Sequence, residues 1–147
     1  MRISRRGFLG LSAAAVVACA APAQAKVMKV YRSPSCGCCG GWVDHLRAAG
    51  FQATVEMMDD VGPVAERLGV PQHMHSCHTG EAGGYFFEGH VPAADVARLL
   101  RERPDARGIA VPGMPIGSPG MEMGDRRDAY QTLLVDRGGR VSVFAIH

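Results

Sequence analysis

Val27-Met28-Lys29-Val30-Tyr31-Arg32-Ser33-Pro34-Ser35-Cys36-Gly37-Cys38-Cys39-Gly40-Gly41-Trp42 decides the fold. Val27 to Arg32 is short and alternating, which predicts a strand. Ser33-Pro34-Ser35 ends it in a turn. The cysteines then open a helix running to about Ala49, with Trp42, Leu46 and Ala49 on its core face and Gly50 stopping it. At such a helix start, free backbone N–H groups and the macrodipole favour thiolates. Gly40 and Gly41 are weak helix formers, which points to space kept beside the sulfurs.

Downstream, Phe51 to Met57 alternates as a second strand. Asp59 or Asp60 caps a second helix carrying Val61, Val64 and Leu68, which Gly69 ends. Gly84 to Glu88 predicts a third strand, and Pro92 opens a third helix bearing Val96, Leu99 and Leu100. Gly108 to Gly124 lacks periodicity and reads as a loop. Thr132 to Val135 and Val141 to Ile146 form a hairpin around Arg137-Gly138-Gly139. The order predicts a single α/β domain with a mixed central sheet, flanking helices and a C-terminal hairpin. A first strand delivering C-x-x-C to a helix start narrows this expectation to a thioredoxin-like fold. In that fold Val70-Pro71 is a candidate cis-proline junction, and Cys77 is expected beside Cys36 and Cys39.

Working back from Val27, residues 1–25 read as an export signal of the twin-arginine type. Ser4-Arg5-Arg6-Gly7-Phe8-Leu9 precedes an apolar run to Ala18, and Ala23-Gln24-Ala25 offers a cleavage site. The run falls short of the roughly 20 residues that a membrane span needs. Cleavage after Ala25 leaves residues 26–147 as the mature domain, in the periplasm. The rival is a lipoprotein signal, Val16-Val17-Ala18-Cys19, with Cys19 lipidated. The formal charge of +2 includes Arg2, Arg5 and Arg6; without them 13 basic residues face 14 acidic ones. That balance gives no basic patch for nucleic acid or an anionic membrane.

Of the five cysteines, four lie in the mature part: Cys36, Cys38, Cys39 and Cys77. Three fall within four residues, where only Cys36–Cys39 has the usual C-x-x-C spacing. That crowding suits a metal or redox site better than a structural staple. His73-Met74-His75-Ser76-Cys77-His78 adds imidazole and thioether donors, with His75 and His78 as candidate ligands. Met114, Met121 and Met123 stand in a Gly/Pro loop, out of helical spacing, and are further candidates. Thiolate, thioether and imidazole together select copper, above all Cu(I). Zinc has no need of methionine, and iron–sulfur clusters use other spacings. Thiolates bridge metals, so this donor count predicts more than one copper per chain. His90, in Glu88-Gly89-His90-Val91-Pro92, fits a ligand or a strand-end structural role equally, and His147 reads as a tail residue.

Cys36-Gly37-Cys38-Cys39, Ser76-Cys77-His78-Thr79, Glu88-Gly89-His90-Val91-Pro92 and Gly113-Met114-Pro115 through Met121-Glu122 closely resemble the motifs of CopG-type copper-resistance proteins. The resemblance spans essentially the whole mature chain. It implies a thioredoxin-like domain holding a cysteine-bridged cluster of several copper ions, with a role in copper handling or redox cycling. It places metal binding first on Cys36, Cys38, Cys39 and Cys77, then on His75, His78, Met114, Met121 and Met123. Partners would be copper ions and other periplasmic copper-handling proteins. Two alternatives stay open: a thiol–disulfide oxidoreductase using Cys36 and Cys39, and a copper chaperone without turnover.

Overall fold

The computed structural model describes residues 26–147; the predicted export signal, its cleavage site and Cys19 lie outside them. The chain folds as β1 (Val27–Arg32), α1 (Gly37–Ala48), β2 (Gln52–Met57), α2 (Gly62–Leu68), β3 (His78–Ala82), β4 (Tyr85–Gly89), α3 (Ala93–Glu102), β5 (Ala106–Val111), β6 (Gln131–Asp136) and β7 (Val141–Ile146). A 3-10 turn, Gln72–Met74, precedes β3. The seven strands form one mixed sheet in the order β2-β1-β3-β4-β5-β6-β7. The β1–β2 and β4–β5 pairs are parallel and the others antiparallel.

Strand alternation splits the core between two faces. Met28 and Val30 of β1, Phe87 of β4 and Ile109 of β5 pack with Trp42 and Leu46 of α1 and with Val96 and Leu99 of α3. Phe86 and Ala110, their neighbours in sequence, point the other way and pack with Ala65 of α2, Val70 and Met74. Each large side chain fully buried in this way contributes about 1.5–3 kcal/mol. The two helices on the first face are also joined by a polar clip, in which the Ala93 N–H donates to His45 Nε2 at 3.0 Å. This gives α3 the first-turn acceptor that its N-cap, Pro92, lacks. Among the described residues, no helix is long and apolar enough to cross a membrane.

Five expectations need correction. Ala49, expected on the core face of α1, is exposed at the C-cap of that helix. A strand, β3, lies within the stretch left between α2 and the third predicted strand; it sits in the sheet interior, paired on both sides by β1 and β4. The predicted loop from Gly108 begins inside another strand, β5, where a side chain at Gly108 would meet the Phe86 carbonyl. The Val70–Pro71 bond is trans, as are all the described peptide bonds. Finally, His147 is no loose tail: its Nε2 donates to Asp95 Oδ2 at 2.9 Å, its ring stacks on Tyr130, and Thr132 Oγ1 donates to the same carboxylate. The hairpin of β6 and β7 forms as expected, with Gly139 at φ 84° in its turn.

Candidate metal centre

Three elements meet at one end of the sheet. The first is the N-terminal turn of α1, with Cys36 as N-cap and Cys38 and Cys39 in the first turn. The second is the start of β3, where His78 pairs with Arg32 at the end of β1 and places Cys77 just ahead of it. The third is the segment after β5, which folds back over α1. Gly120, at φ 85°, lies so close there that an added side-chain carbon would fall 2.6 Å from the Trp42 backbone nitrogen and 2.8 Å from the Cys38 carbonyl. The space beside Gly41 is therefore filled by Gly120, and the space beside Gly40 faces the Arg32 guanidinium. Arg32 also donates to the Cys36 carbonyl at 2.8 Å, which fixes the start of the helix.

The four cysteine sulfurs all lie within 4.8 Å of one another. Cys77 Sγ is 3.0 Å from Cys36 Sγ and 3.2 Å from Cys39 Sγ, and Cys36 Sγ is 3.4 Å from Cys38 Sγ. Cys36 and Cys39 are joined by a disulfide, while Cys38 and Cys77 are free thiols. This is the oxidised form of the group. Two electrons and two protons convert it to four thiols, the form in which sulfur ligates metal once deprotonated. Burial is the main cause that pushes the Cys77 thiol pKa up, with Cys38 adding to it. A metal cation would reverse that preference.

His78 completes the donor set. It is fully buried, and its Nε2–H donates to the Gly89 carbonyl at 2.9 Å. That bond fixes the tautomer and leaves the Nδ1 lone pair facing Cys39 Sγ at 3.2 Å. Burial, followed by the neighbouring His90, drives the His78 pKa down to about 3, so the ring is neutral and able to ligate at any physiological pH. Outer-sphere anchoring of this kind is how metal-ligating histidines are usually held. Trp42 and His90 enclose the imidazole, with ring centroids 4.7 Å and 4.9 Å away. His90 Nδ1–H donates to the Pro119 carbonyl, tying the residue after β4 to the folded-back segment. Its Nε2 is buried with no hydrogen-bond partner among the described residues. Four soft sulfurs and one oriented neutral imidazole fit a soft, thiophilic ion such as Cu(I).

The other candidate donors are placed differently. His75 has its Nε2 engaged with the Val70 carbonyl at 3.1 Å. Met121 is half-buried and follows Gly120, whose backbone lies against the start of α1. Met114 and Met123 are 49% and 62% exposed, so neither is held against the sulfurs by packing. One residue escaped the sequence reading. Glu88 follows the apolar run Tyr85-Phe86-Phe87 in β4, is 1% exposed, and is bonded to both Ser76 and Thr79. A lone acid inside a buried strand was the available signal, because such a group needs partners.

Comparison with known proteins agrees with this geometry. Residues 74–121 match the family described as protein of unknown function DUF411, a stretch running from the Cys77 motif to Met121. No curated protein matches the sequence. Two solved structures named copper resistance protein CopG, form 2 and form 1, are each 55% identical with a TM-score of 0.78. Each alignment covers 82% of this chain, and 97% and 96% respectively of the solved chains. With that identity sustained over nearly the full length of those structures, the chain belongs to the DUF411 family that includes the copper resistance protein CopG.

Proposed function

We propose that this protein is exported to the periplasm and holds Cu(I) there as a thiolate-bridged cluster of more than one ion, in the service of copper resistance or copper redox handling. One observation carries the reading: four cysteine sulfurs gathered within 4.8 Å, with an oriented imidazole nitrogen against them. Copper is the cargo. Cys36, Cys38, Cys39 and Cys77 would hold it after reduction, with His78 Nδ1 as a further donor. The twin-arginine-like sequence at Ser4 to Leu9 supports export. A thioredoxin-like framework is supported by the parallel β1–β2 pair around a helix whose first turn carries the cysteines, followed by the antiparallel β3–β4 pair and α3.

The test is to reduce residues 26–147 without oxygen, titrate them with Cu(I) against a colorimetric chelator, and count copper by plasma mass spectrometry. Two or more tightly held ions per chain are expected. Saturation at one ion sinks the multinuclear site. No binding at all sinks the copper reading.

The Cys36–Cys39 disulfide favours a second reading, a thiol–disulfide oxidoreductase. The two diverge at Cys38. A Cys38→Ser variant keeps its dithiol activity in the oxidoreductase and loses copper affinity in the copper protein.

A further inference from the structure

Glu88 is nearly inaccessible to solvent, on a strand whose other side chains are apolar. Its two oxygens diverge. Oε1 accepts from the Ser76 backbone N–H at 2.6 Å and Oε2 accepts from the Thr79 hydroxyl at 2.6 Å. Those partners lie immediately before Cys77 and immediately after His78 in the chain. Between them, the Ser76 hydroxyl donates to the His78 carbonyl at 2.8 Å, and the Cys77 carbonyl accepts from the Ser33 N–H at 3.3 Å. The pair that supplies a sulfur and a nitrogen to the centre is thus pinned at both ends by one carboxyl group.

A carboxyl in an apolar strand costs several kcal/mol unless its lone pairs are used. A side chain that only filled the sheet face would be served better by leucine or valine. What the acid provides here is a rigid two-point bracket, and bidentate acceptors fix geometry as well as energy.

We propose that Glu88 is a positioning residue of the metal centre: it sets the placement of Cys77 Sγ and His78 Nδ1 against the cysteines of α1. This rests on the copper reading for its function, but not for its geometry. Metal sites lose about tenfold to hundredfold in affinity when such an outer-sphere partner is removed.

Three variants of the full mature chain test it: Glu88→Gln, Glu88→Leu and Thr79→Val. Glutamine is isosteric; its carbonyl oxygen accepts from Ser76 and its NH2 donates to the Thr79 hydroxyl oxygen. The hydrogen-bonding bracket survives and the ionisable carboxyl does not. The readouts are Cu(I) affinity by chelator competition in the reduced protein and the alkylation rate of Cys77 by iodoacetamide in the metal-free protein, mapped by mass spectrometry. Circular dichroism checks the fold. Glu88→Gln is expected to stay within about threefold of the parent on both readouts, because its hydrogen bonds are retained. Glu88→Leu is expected to lose about tenfold to hundredfold in affinity and to alkylate several times faster.

Parent-like behaviour of Glu88→Leu overturns the proposal. So does a folded Glu88→Gln that falls as far as the leucine variant, since charge rather than positioning would then be at work. If Glu88→Leu does not fold, Thr79→Val decides: it is expected to lie between parent and leucine, and an unchanged affinity and alkylation rate there overturns the proposal. If the parent takes up no Cu(I), the copper reading fails, and the alkylation rates alone still decide the role of Glu88.

Discussion

Two segments carry soft donors in this chain, and the fold treats them in opposite ways. Cys77-His78 leads into a strand in the sheet interior, where His78 is fully buried and its ring nitrogens face a carbonyl on one side and a sulfur on the other. The stretch from Met114 to Met123 follows an interior strand as an irregular loop, with its two outer methionines about half exposed. Donor type alone would rank them alike. The difference is preorganisation. A donor whose rotamer is already fixed loses little entropy on binding a metal, whereas an exposed methionine must give up its freedom first. Under the proposed function, the thiolate–imidazole pocket would supply the affinity and the outer methionines would contribute little at equilibrium.

The sharpest way to break the comparison is Cys77→Ser, which removes the sulfur that joins β3 to α1. The expected loss of Cu(I) affinity is at least about a hundredfold, beyond the usual cost of an outer-sphere partner, by chelator competition. A loss under tenfold would show that the α1 cysteines suffice. Next is Gly120→Ala, which tests whether the folded-back segment is docked on α1 at all. An alanine there meets the Trp42 backbone at a positive φ, and overpacking of that kind costs about 1–3 kcal/mol, read by urea denaturation. An unchanged midpoint would mean that the segment is free of α1.

A smaller effect concerns pH. Burial, only partly opposed by Glu122, holds the His45 pKa below its ordinary value, as suits an acceptor of the Ala93 N–H. Protonation is therefore easier in the unfolded chain. The clip's stability is complete above the unfolded value of about 6.5 and is lost as pH falls below it. Replacing His45 with Gln, which still accepts a hydrogen bond, should make the fall in melting temperature between pH 7 and 5 less steep, leaving the share that comes from the buried His78. An equally steep fall would place the acid sensitivity elsewhere. The smallest effect is expected from Met114→Leu with Met123→Leu: under about threefold in Cu(I) affinity, in keeping with their exposure. A loss as large as that of Cys77→Ser would overturn the comparison from its other side.

Much of this was legible in the sequence, for identifiable reasons. The alternation of β1 and β2 and the hairpin glycines are local signals, and the cysteine crowding is chemical. His78-Thr79-Gly80-Glu81-Ala82 was not legible as a strand, because β3 owes its place to neighbours on both sides rather than to β-branched alternation. Gly80 suits it because an added carbon would press on Met28 and Trp42, a tertiary reason invisible along the chain. Gly108 hides β5 in the same way. Within the site, the gathering of Cys77 onto the α1 cysteines followed from the expected fold. The bracket by Glu88 and the anchoring of His90 to Pro119 depend on pairings between distant residues, and no spacing rule encodes them.

Trp42 is the sole tryptophan of the chain, and its indole N–H is held by the Val91 carbonyl at 2.8 Å while its ring lies against His78. The molecule therefore carries its own optical gauge. Excited at the red edge of its absorption, where the three tyrosines contribute little, this one indole is placed to report changes at the adjoining imidazole. If the pocket takes up copper as proposed, its filling and its oxidation should register in that emission on the unlabelled protein.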